Sequence, residues 1–113
     1  MARDSIRDEI PPGTLYMLIL KTLARGGEMH GFEIANSIQQ ISDDILQVEE
    51  GSLYPALQRM LIKGWVTAEW GVTAGNRRAR YYKLTKSGRK QSEVELSQFQ
   101  RVNEAILRVI QMA

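Results

Sequence analysis

The sequence predicts a mainly α-helical fold with one small β-hairpin. Three observations support this fold class. Apolar residues recur at helical spacing in four segments, two aromatic and β-branched segments flank a short polar loop, and the last segment carries an apolar repeat of three and four residues. The chain has 113 residues, a length that suits one domain with one modest core.

The first two predicted helices follow an irregular leader, residues 1–12. Thr14 is a suitable N-cap for the apolar segment LYMLILKTLAR, which Gly26-Gly27 closes. Because this segment is apolar on nearly all sides, its helix should lie centrally in the core. A second helix is predicted at about residues 31–41, where isoleucines recur at positions i, i+4 and i+7.

The segment ILQV, residues 45–48, predicts a short strand, and a third helix follows it. Ser52 is a suitable N-cap for this helix. Pro55 would then lie in the first turn, where its missing N–H breaks no helical hydrogen bond. On a helical wheel the inward face carries Leu53, Ala56, Leu57, Met60 and Leu61. The outward face carries Tyr54, Pro55, Gln58, Arg59 and Ile62.

The outward face of this third helix has two interpretations. Gln and Arg side chains hydrogen-bond to base edges and phosphates, and free N–H groups at a helix N-terminus can bind phosphate. The helix would then be a DNA recognition helix that uses Ser52, Tyr54, Pro55, Gln58 and Arg59. Taken alone, however, the same residues also fit a solvated helix face, which is the simpler interpretation.

A β-hairpin is predicted after the third helix. The segments WVTAEWGV (65–72) and RYYKL (80–84) are rich in aromatic and β-branched residues, and the polar loop TAGNRRA joins them. By strand alternation Trp65 and Trp70 should face opposite sides, one in the core and the other partly exposed or at a subunit interface.

Positive charge is concentrated around this hairpin. Residues 70–92 contain seven Lys or Arg and no acidic residue, whereas residues 1–69 contain six basic and ten acidic residues. On a chain whose net charge is only +2, such a block indicates an anionic partner. A solvated charged face explains the charge alone equally well.

Thr85 should cap a long last helix that runs to residue 113. Its apolar positions step by three and four residues, which is a coiled-coil-like seam that a second copy would bury. The seam consists of Leu96, Phe99, Val102, Ile106, Val109 and Ile110. The sequence therefore predicts a C-terminal dimerisation helix, residues 86–113, and a homodimer.

The order helix, helix, short strand, helix, hairpin, helix is that of a winged helix-turn-helix domain, here assigned to residues 13–85. The hairpin is the wing, and its tip carries Asn76, Arg77, Arg78 and Arg80. A recognition helix and a cationic wing tip are separate indications of one partner, duplex DNA. A wing arginine can enter the minor groove or bind phosphate.

Other function classes find little support in the sequence. His30 is the only histidine and Cys is absent, so we expect no zinc site and no nucleophilic triad. His30 should instead lie near the cap of the second helix. We expect no enzyme activity and no cofactor. No apolar run approaches the ~18 residues of a membrane span, and the N-terminus lacks the apolar core of a signal peptide, so a cytoplasmic protein is expected.

At these motifs the chain resembles the PadR family of bacterial transcriptional regulators. The similar segments are GTLYMLILKTLARGGEMHGFEIANSI, LQVEEGSLYPALQRM, KGWV and NRRARYYKLTKSGRK, which cover most of residues 13–90. GSLYPAL is the most specific of them. The short single C-terminal helix is similar to that of the smaller PadR subgroup. The resemblance implies a homodimeric DNA-binding repressor.

The resemblance also implies where partners bind. It assigns DNA contact to the helix that starts at Ser52 and to wing residues 76–80, and dimerisation to the helix after Thr85. Some PadR proteins bind a small planar aromatic effector at the dimer interface, through an aromatic residue of the last helix. This chain departs from that pattern, because Phe99 is the only aromatic residue there and the two tryptophans lie at the first wing strand.

The sequence thus favours a sequence-specific DNA-binding regulator, a dimeric repressor at an inverted-repeat operator. The alternative is a winged-helix protein-interaction module that does not bind DNA. The cationic wing argues against this alternative, since many winged helices that do not bind DNA have no need of that charge.

Overall fold

The computed structural model describes Ile10 and residues 13–112 of the chain. In chain order these form helix α1 (Leu15–Gly26), strand β1 (Met29–His30), helices α2 (Gly31–Ile41) and α3 (Glu50–Ile62), strands β2 (Val66–Val72) and β3 (Arg78–Leu84), and helix α4 (Lys86–Met112). The strands form one antiparallel sheet in the order β1-β3-β2. The predicted fold class, mainly helical with a β-hairpin wing, is confirmed.

Two ends of the chain fall outside this description. Of the leader predicted for residues 1–12, only Ile10 is described. Residue Ala113, at the end of the predicted last helix, also lies outside the described residues.

Helix α1 lies at the centre of the core, as its apolar sequence predicts. Its Ile19, Leu20 and Leu23 are fully buried. They belong to one cluster with residues of α2, α3 and the base of the wing: Ile34, Ile38, Leu53, Ala56, Leu57, Met60, Val66, Tyr82 and Leu84. The helix ends where predicted, because Gly27 takes a left-handed φ of 78° and donates its N–H to the Leu23 carbonyl oxygen at 2.9 Å.

The prediction of a short strand at residues 45–48 is wrong. Within that segment only Leu46 makes an isolated β-bridge, and its N–H is bound by the Ser42 hydroxyl oxygen at 3.0 Å. Asp43 and Asp44 have φ values of 54° and 66°, so the chain turns sharply after α2 instead of extending. The strand that joins the two wing strands in the sheet is instead β1, whose Met29 pairs with Tyr82 of β3.

Helix α3 begins three residues earlier than the predicted N-cap at Ser52 implies. Its N-cap is Glu49, whose carbonyl oxygen accepts the N–H of both Ser52 (3.0 Å) and Leu53 (2.9 Å). Pro55 therefore lies in the second turn, and its missing N–H leaves the Gly51 carbonyl without a helical partner. Gly51 is exposed, so water can hydrate that carbonyl.

The predicted faces of α3 are confirmed. Leu53, Ala56, Leu57 and Met60 are buried, and Leu61 is partly buried. The outward residues are all exposed: Tyr54, Pro55, Gln58, Arg59 and Ile62.

The wing is a longer hairpin with a shorter loop than predicted. Strands β2 and β3 pair continuously from Val66 opposite Leu84 to Val72 opposite Arg78, which leaves residues 73–77 as the turn. The Thr73 N–H donates to the Arg77 carbonyl oxygen at 2.8 Å and closes the turn. The base of the wing is anchored in the core, whereas its tip extends beyond it.

Helix α4 is tied to the base of the wing. The Thr85 hydroxyl accepts the Gly88 N–H at 3.0 Å, as predicted for an N-cap, and donates to the Gly64 carbonyl oxygen at 2.7 Å. The Thr85 N–H donates to the Trp65 carbonyl oxygen at 3.0 Å. Gly88 is buried so closely that a Cβ at this position would lie 2.0 Å from that same oxygen.

Gly88→Ala should therefore destabilise the fold by about 1–3 kcal/mol, the usual cost of overpacking, because the atom in the way belongs to the backbone. Gly51→Ala is the matched control. Nothing lies within 4 Å of a Cβ at Gly51, and alanine favours a helix, so stability should rise by up to about 1 kcal/mol. Urea unfolding followed by circular dichroism measures both. Equal stabilities of the two variants would contradict the close junction described above.

Candidate nucleic-acid interface

The outward face of α3 has two edges with different neighbours. Tyr54 and Gln58 face a cleft that the wing borders. Arg59 lies on the other edge, where its Nη1 donates to the Tyr16 hydroxyl of α1 at 3.3 Å. Ser52 and Pro55 complete the exposed face. A single bond of this length between exposed groups can be exchanged for a bond to a ligand.

Tyr54 is both exposed and packed. Its exposed fraction is 45%, yet a Cβ built on Gly31 would lie 2.6 Å from the Tyr54 hydroxyl and 2.7 Å from a ring carbon. The ring therefore lies directly on the backbone at the start of α2, and glycine is required there for the close approach. This contact joins residues distant in the sequence, so the helical pattern of α3 could not have shown it.

The start of α2 forms the floor beside Tyr54. The predicted position of His30 at the cap is confirmed, since it is the N-cap of α2 and its backbone N–H donates to Glu33 Oε1 at 3.0 Å. The His30 ring packs edge-on against Tyr81 with centroids 5.2 Å apart. Phe32, which sequence reasoning did not single out, is exposed and stacks on His30 with centroids 6.5 Å apart.

The two tryptophans differ in exposure as predicted, although Trp65 precedes β2 and only Trp70 lies within the strand. Trp65 is partly buried and packs edge-on against Tyr16, with centroids 6.0 Å apart. Trp70 is 61% exposed, and two of the wing arginines lie over its ring. The Cζ atoms of Arg78 and Arg80 lie 4.6 and 5.8 Å from the Trp70 centroid.

The predicted wing-tip residues divide between turn and strand. Asn76, with a φ of 64°, and Arg77 lie in the turn, whereas Arg78 and Arg80 belong to β3. Arg80 also lies 5.9 Å from the centroid of Tyr82. Burial raises the pKa of the Tyr82 hydroxyl above its ordinary value; Arg80 acts in the opposite direction, and Tyr54 adds to the rise. The Tyr82 hydroxyl therefore carries no charge at neutral pH.

An open cleft of about 460 Å³ separates the wing from α3 and the start of α2. It brings together five of the predicted site residues: Tyr54 and Gln58 from α3, and Arg77, Arg78 and Arg80 from the wing. The structure does not place Ser52, Pro55, Arg59 or Asn76 in its lining. These four lie farther along the exposed surface of α3 and at the turn.

The charge of this surface comes from the wing and not from the start of α3. Glu49 is the N-cap of α3 and Glu50 lies in its first turn. Carboxylates there stabilise the helix dipole, but they also oppose a phosphate at the same N–H groups. The start of α3 is therefore less suited to binding phosphate than the three wing arginines are.

A second exposed surface lies on α4. Every residue from 97 to 112 is exposed, a stretch of about 24 Å of helix. Phe99, Val102, Ile106, Val109 and Ile110 of the predicted seam are among them, and Leu96 is partly buried. Leu107 and Met112 extend the apolar surface and were not predicted.

Within the described residues, no group of His, Asp and Glu side chains could hold a metal ion.

None of the helices in the described part of the chain is long and apolar enough to cross a membrane.

Comparison with known proteins identifies the family. Residues 19–94 match the transcriptional regulator PadR-like family. The structure of a transcriptional regulator from Clostridium thermocellum is similar, with a TM-score of 0.77 and 26% identity over 93% of this chain and 96% of that one. For a PadR-like transcription factor from Bacteroides fragilis, the TM-score is 0.68 and the identity 25%, over 86% of this chain and 90% of that one.

An uncharacterized protein from Lysinibacillus sphaericus is 26% identical over 101 residues, which cover 89% of this chain and 92% of that protein. The family is one of transcriptional regulators and not of enzymes. Because the family match spans well over half of the chain, this protein belongs to the PadR-like family of transcriptional regulators.

Proposed function

We propose that this protein is a homodimeric repressor that binds duplex DNA at an inverted-repeat operator. Helix α3 enters the major groove, and the wing binds the adjacent backbone or minor groove. The observation that carries the proposal is the cleft that brings Tyr54 and Gln58 of α3 together with three wing arginines on one open side. Membership of a transcriptional regulator family supports DNA as the partner.

The shape of α3 suits the major groove. The helix has 13 residues, about 20 Å of length, and B-DNA admits an α-helix into its major groove. Gly51 and Ser52 in the first turn allow the backbone to approach closely. Gln58 can form a bidentate contact with adenine and Arg59 with guanine, once Arg59 leaves Tyr16.

The wing supplies the affinity that does not depend on sequence. Arg77, Arg78 and Arg80 lie in a segment with no acidic residue between positions 70 and 92. Each lysine or arginine that neutralises a phosphate releases condensed counterions, so the affinity falls steeply with salt. A DNA-binding regulator of this kind acts in the cytoplasm.

The exposed seam of α4 supports the homodimer. Soluble monomers rarely leave large continuous apolar surfaces in water, and five seam residues are exposed on this one helix. Their step of three and four residues suits a second helix of the same kind. Two-fold symmetry would then present two copies of α3 about 34 Å apart, which requires an inverted repeat with half-sites one turn apart. Occupation of a promoter by such a dimer would block transcription.

Selection from random duplexes, followed by gel shifts with the selected operator, tests the proposal. Gln58→Ala should lower operator affinity by about 1–3 kcal/mol, the value of a good base contact, and leave stability within ~0.5 kcal/mol because Gln58 is exposed. Leu57→Ala is the matched control on the buried face. It should lose roughly 2–5 kcal/mol of stability, while its folded fraction binds normally. Failure to select any duplex at low salt would favour the interaction-module alternative.

The wing should act mainly through charge. In Arg77→Ala/Arg78→Ala protein, affinity should fall on all duplexes, and the log–log salt dependence should flatten by about one unit for each phosphate that is no longer neutralised. Arg101→Ala/Arg108→Ala removes the same charge from α4 and should keep the parent slope. A parent-like slope in the wing variant would remove the wing from the DNA interface.

Dimerisation should depend on the seam. Val102→Glu/Ile106→Glu should sediment as a monomer and bind the operator more weakly, because four carboxylates would face each other across the two-fold axis. Ser97→Glu/Gln111→Glu adds the same charge on the opposite face of α4 and should remain dimeric. Sedimentation velocity distinguishes the two states, and a dimeric Val102→Glu/Ile106→Glu protein would show that the seam is wrongly placed.

A further inference from the structure

We propose that Trp70 is a positioning residue, which holds Arg78 and Arg80 together as a preformed pair that binds one backbone phosphate at the mouth of the cleft. The inference rests on the proposed DNA binding and adds a role that differs from direct contact. Trp70 would raise the affinity without touching DNA itself.

The wing register places the three side chains on one face. Trp70 is the direct cross-strand partner of Arg80, and Arg78 lies two residues along the same strand, opposite Val72. On this face the base of the hairpin is buried through Val66 and Leu84, but the tip has left the core. An indole with 61% of its surface exposed is thus not explained by core packing.

Contact with the cations explains the position of the indole. The faces of aromatic rings attract cations, and tryptophan does so best. The Cζ of Arg78 lies 4.6 Å from the Trp70 centroid and that of Arg80 lies 5.8 Å from it. Two guanidinium groups beside the same ring repel each other in the absence of an anion, and their attraction to the shared ring offsets part of that repulsion.

The inner part of the Arg80 side chain is enclosed, which leaves its terminal nitrogens as the part that can meet a ligand. Arg80 also lies 5.9 Å from the Tyr82 centroid, and its Nε is enclosed and finds no hydrogen-bond acceptor among the described residues. An enclosed donor without an acceptor is rare in folded proteins. A phosphate oxygen at the cleft mouth would not reach the enclosed Nε, but it would accept from the terminal guanidinium nitrogens and lie between the two positive charges.

Trp70 affects binding mainly by ordering the side chains of Arg78 and Arg80 in advance. A long side chain loses rotamer freedom when it is fixed at an interface, and this loss weakens binding. The ring contact restricts Arg78 and Arg80 before DNA arrives, so less freedom remains to be lost. Arg77 is the internal reference, because its backbone is held in the turn by the N–H bond to Thr73 Oγ1 at 3.2 Å.

A double-mutant cycle on the selected operator separates positioning from direct contact. Trp70→Leu should lower affinity about tenfold, the scale of ordering one or two long side chains, and should keep the parent salt slope because the arginines still reach phosphate. In an Arg78→Ala/Arg80→Ala background, Trp70→Leu should change affinity less than twofold. An equal loss in both backgrounds would mean that Trp70 contacts DNA, and the inference would be wrong.

Two further variants control the cycle. Trp70→Phe keeps an aromatic ring and should retain most of the affinity. If Trp70 acted only through its bulk, Trp70→Leu would bind DNA as tightly as Trp70→Phe. Val72→Ala removes apolar surface from the same face of the same strand and should bind like the parent.

A measurement without DNA makes failure of this inference distinguishable from failure of the proposed function. Nitrogen-15 relaxation of the arginine Nε groups should show Arg78 and Arg80 more ordered than Arg77 in the parent, and equally mobile in Trp70→Leu protein. If the three are alike in the parent, the preformed pair does not exist, whatever the protein does with DNA. If the pair is ordered but no duplex binds, it is the proposed function that fails, and with it the assignment of phosphate as the ligand.

Discussion

The junction at Gly88 is the constraint on which the arrangement of the functional surfaces depends. Gly88, in the first turn of α4, is buried against the Trp65 carbonyl, and Thr85 bonds both to that carbonyl and to Gly64. Helix α3 ends at Ile62, the wing begins at Val66, and α4 begins just after the wing. The proposed reading helix, the wing and the proposed dimer helix thus meet within a few residues of one another. In the proposed homodimer, a change in the direction of α4 would alter the spacing of the two copies of α3.

Affinity and specificity are divided between the two elements of the proposed interface. Helix α3 carries Arg59 as its one basic residue, and Glu49 and Glu50 stand at its start. Its net contribution to the electrostatic attraction of DNA is therefore small, and its outward polar groups are suited to reading base edges. The wing carries the positive charge. This division agrees with a protein whose net charge is only +2, because one charged element suffices when it lies beside the reading helix.

Local sequence patterns predicted the elements with strong periodicity. They failed where a contact with a residue distant in the sequence determines the local structure. Helix α2 has the predicted bounds, 31–41, and the two faces of α3 are as predicted. Strand β1 has only two residues and exists because β3 is there to pair with it. Ser52 is the better cap by residue type, yet the extended backbone at Glu49 starts the helix earlier. The nine site residues were chosen by face and charge; the sequence could not show that five of them line one cleft.

Tyr54 and Trp70 lie on opposite sides of the cleft between α3 and the wing, and the same consideration of side-chain entropy applies to both. Tyr54 packs on the Gly31 backbone along one edge of its ring and is exposed along the other. A rigid aromatic side chain has few rotamers to lose when a partner binds, whereas Gln58 and Arg59 lose several. In the role proposed for Trp70, its ring would likewise lower the entropy cost for its neighbours, because it contacts both Arg78 and Arg80. In the proposed interface, the exposed aromatic residues would reduce the entropy lost on binding, and the polar residues between them would discriminate among DNA sequences.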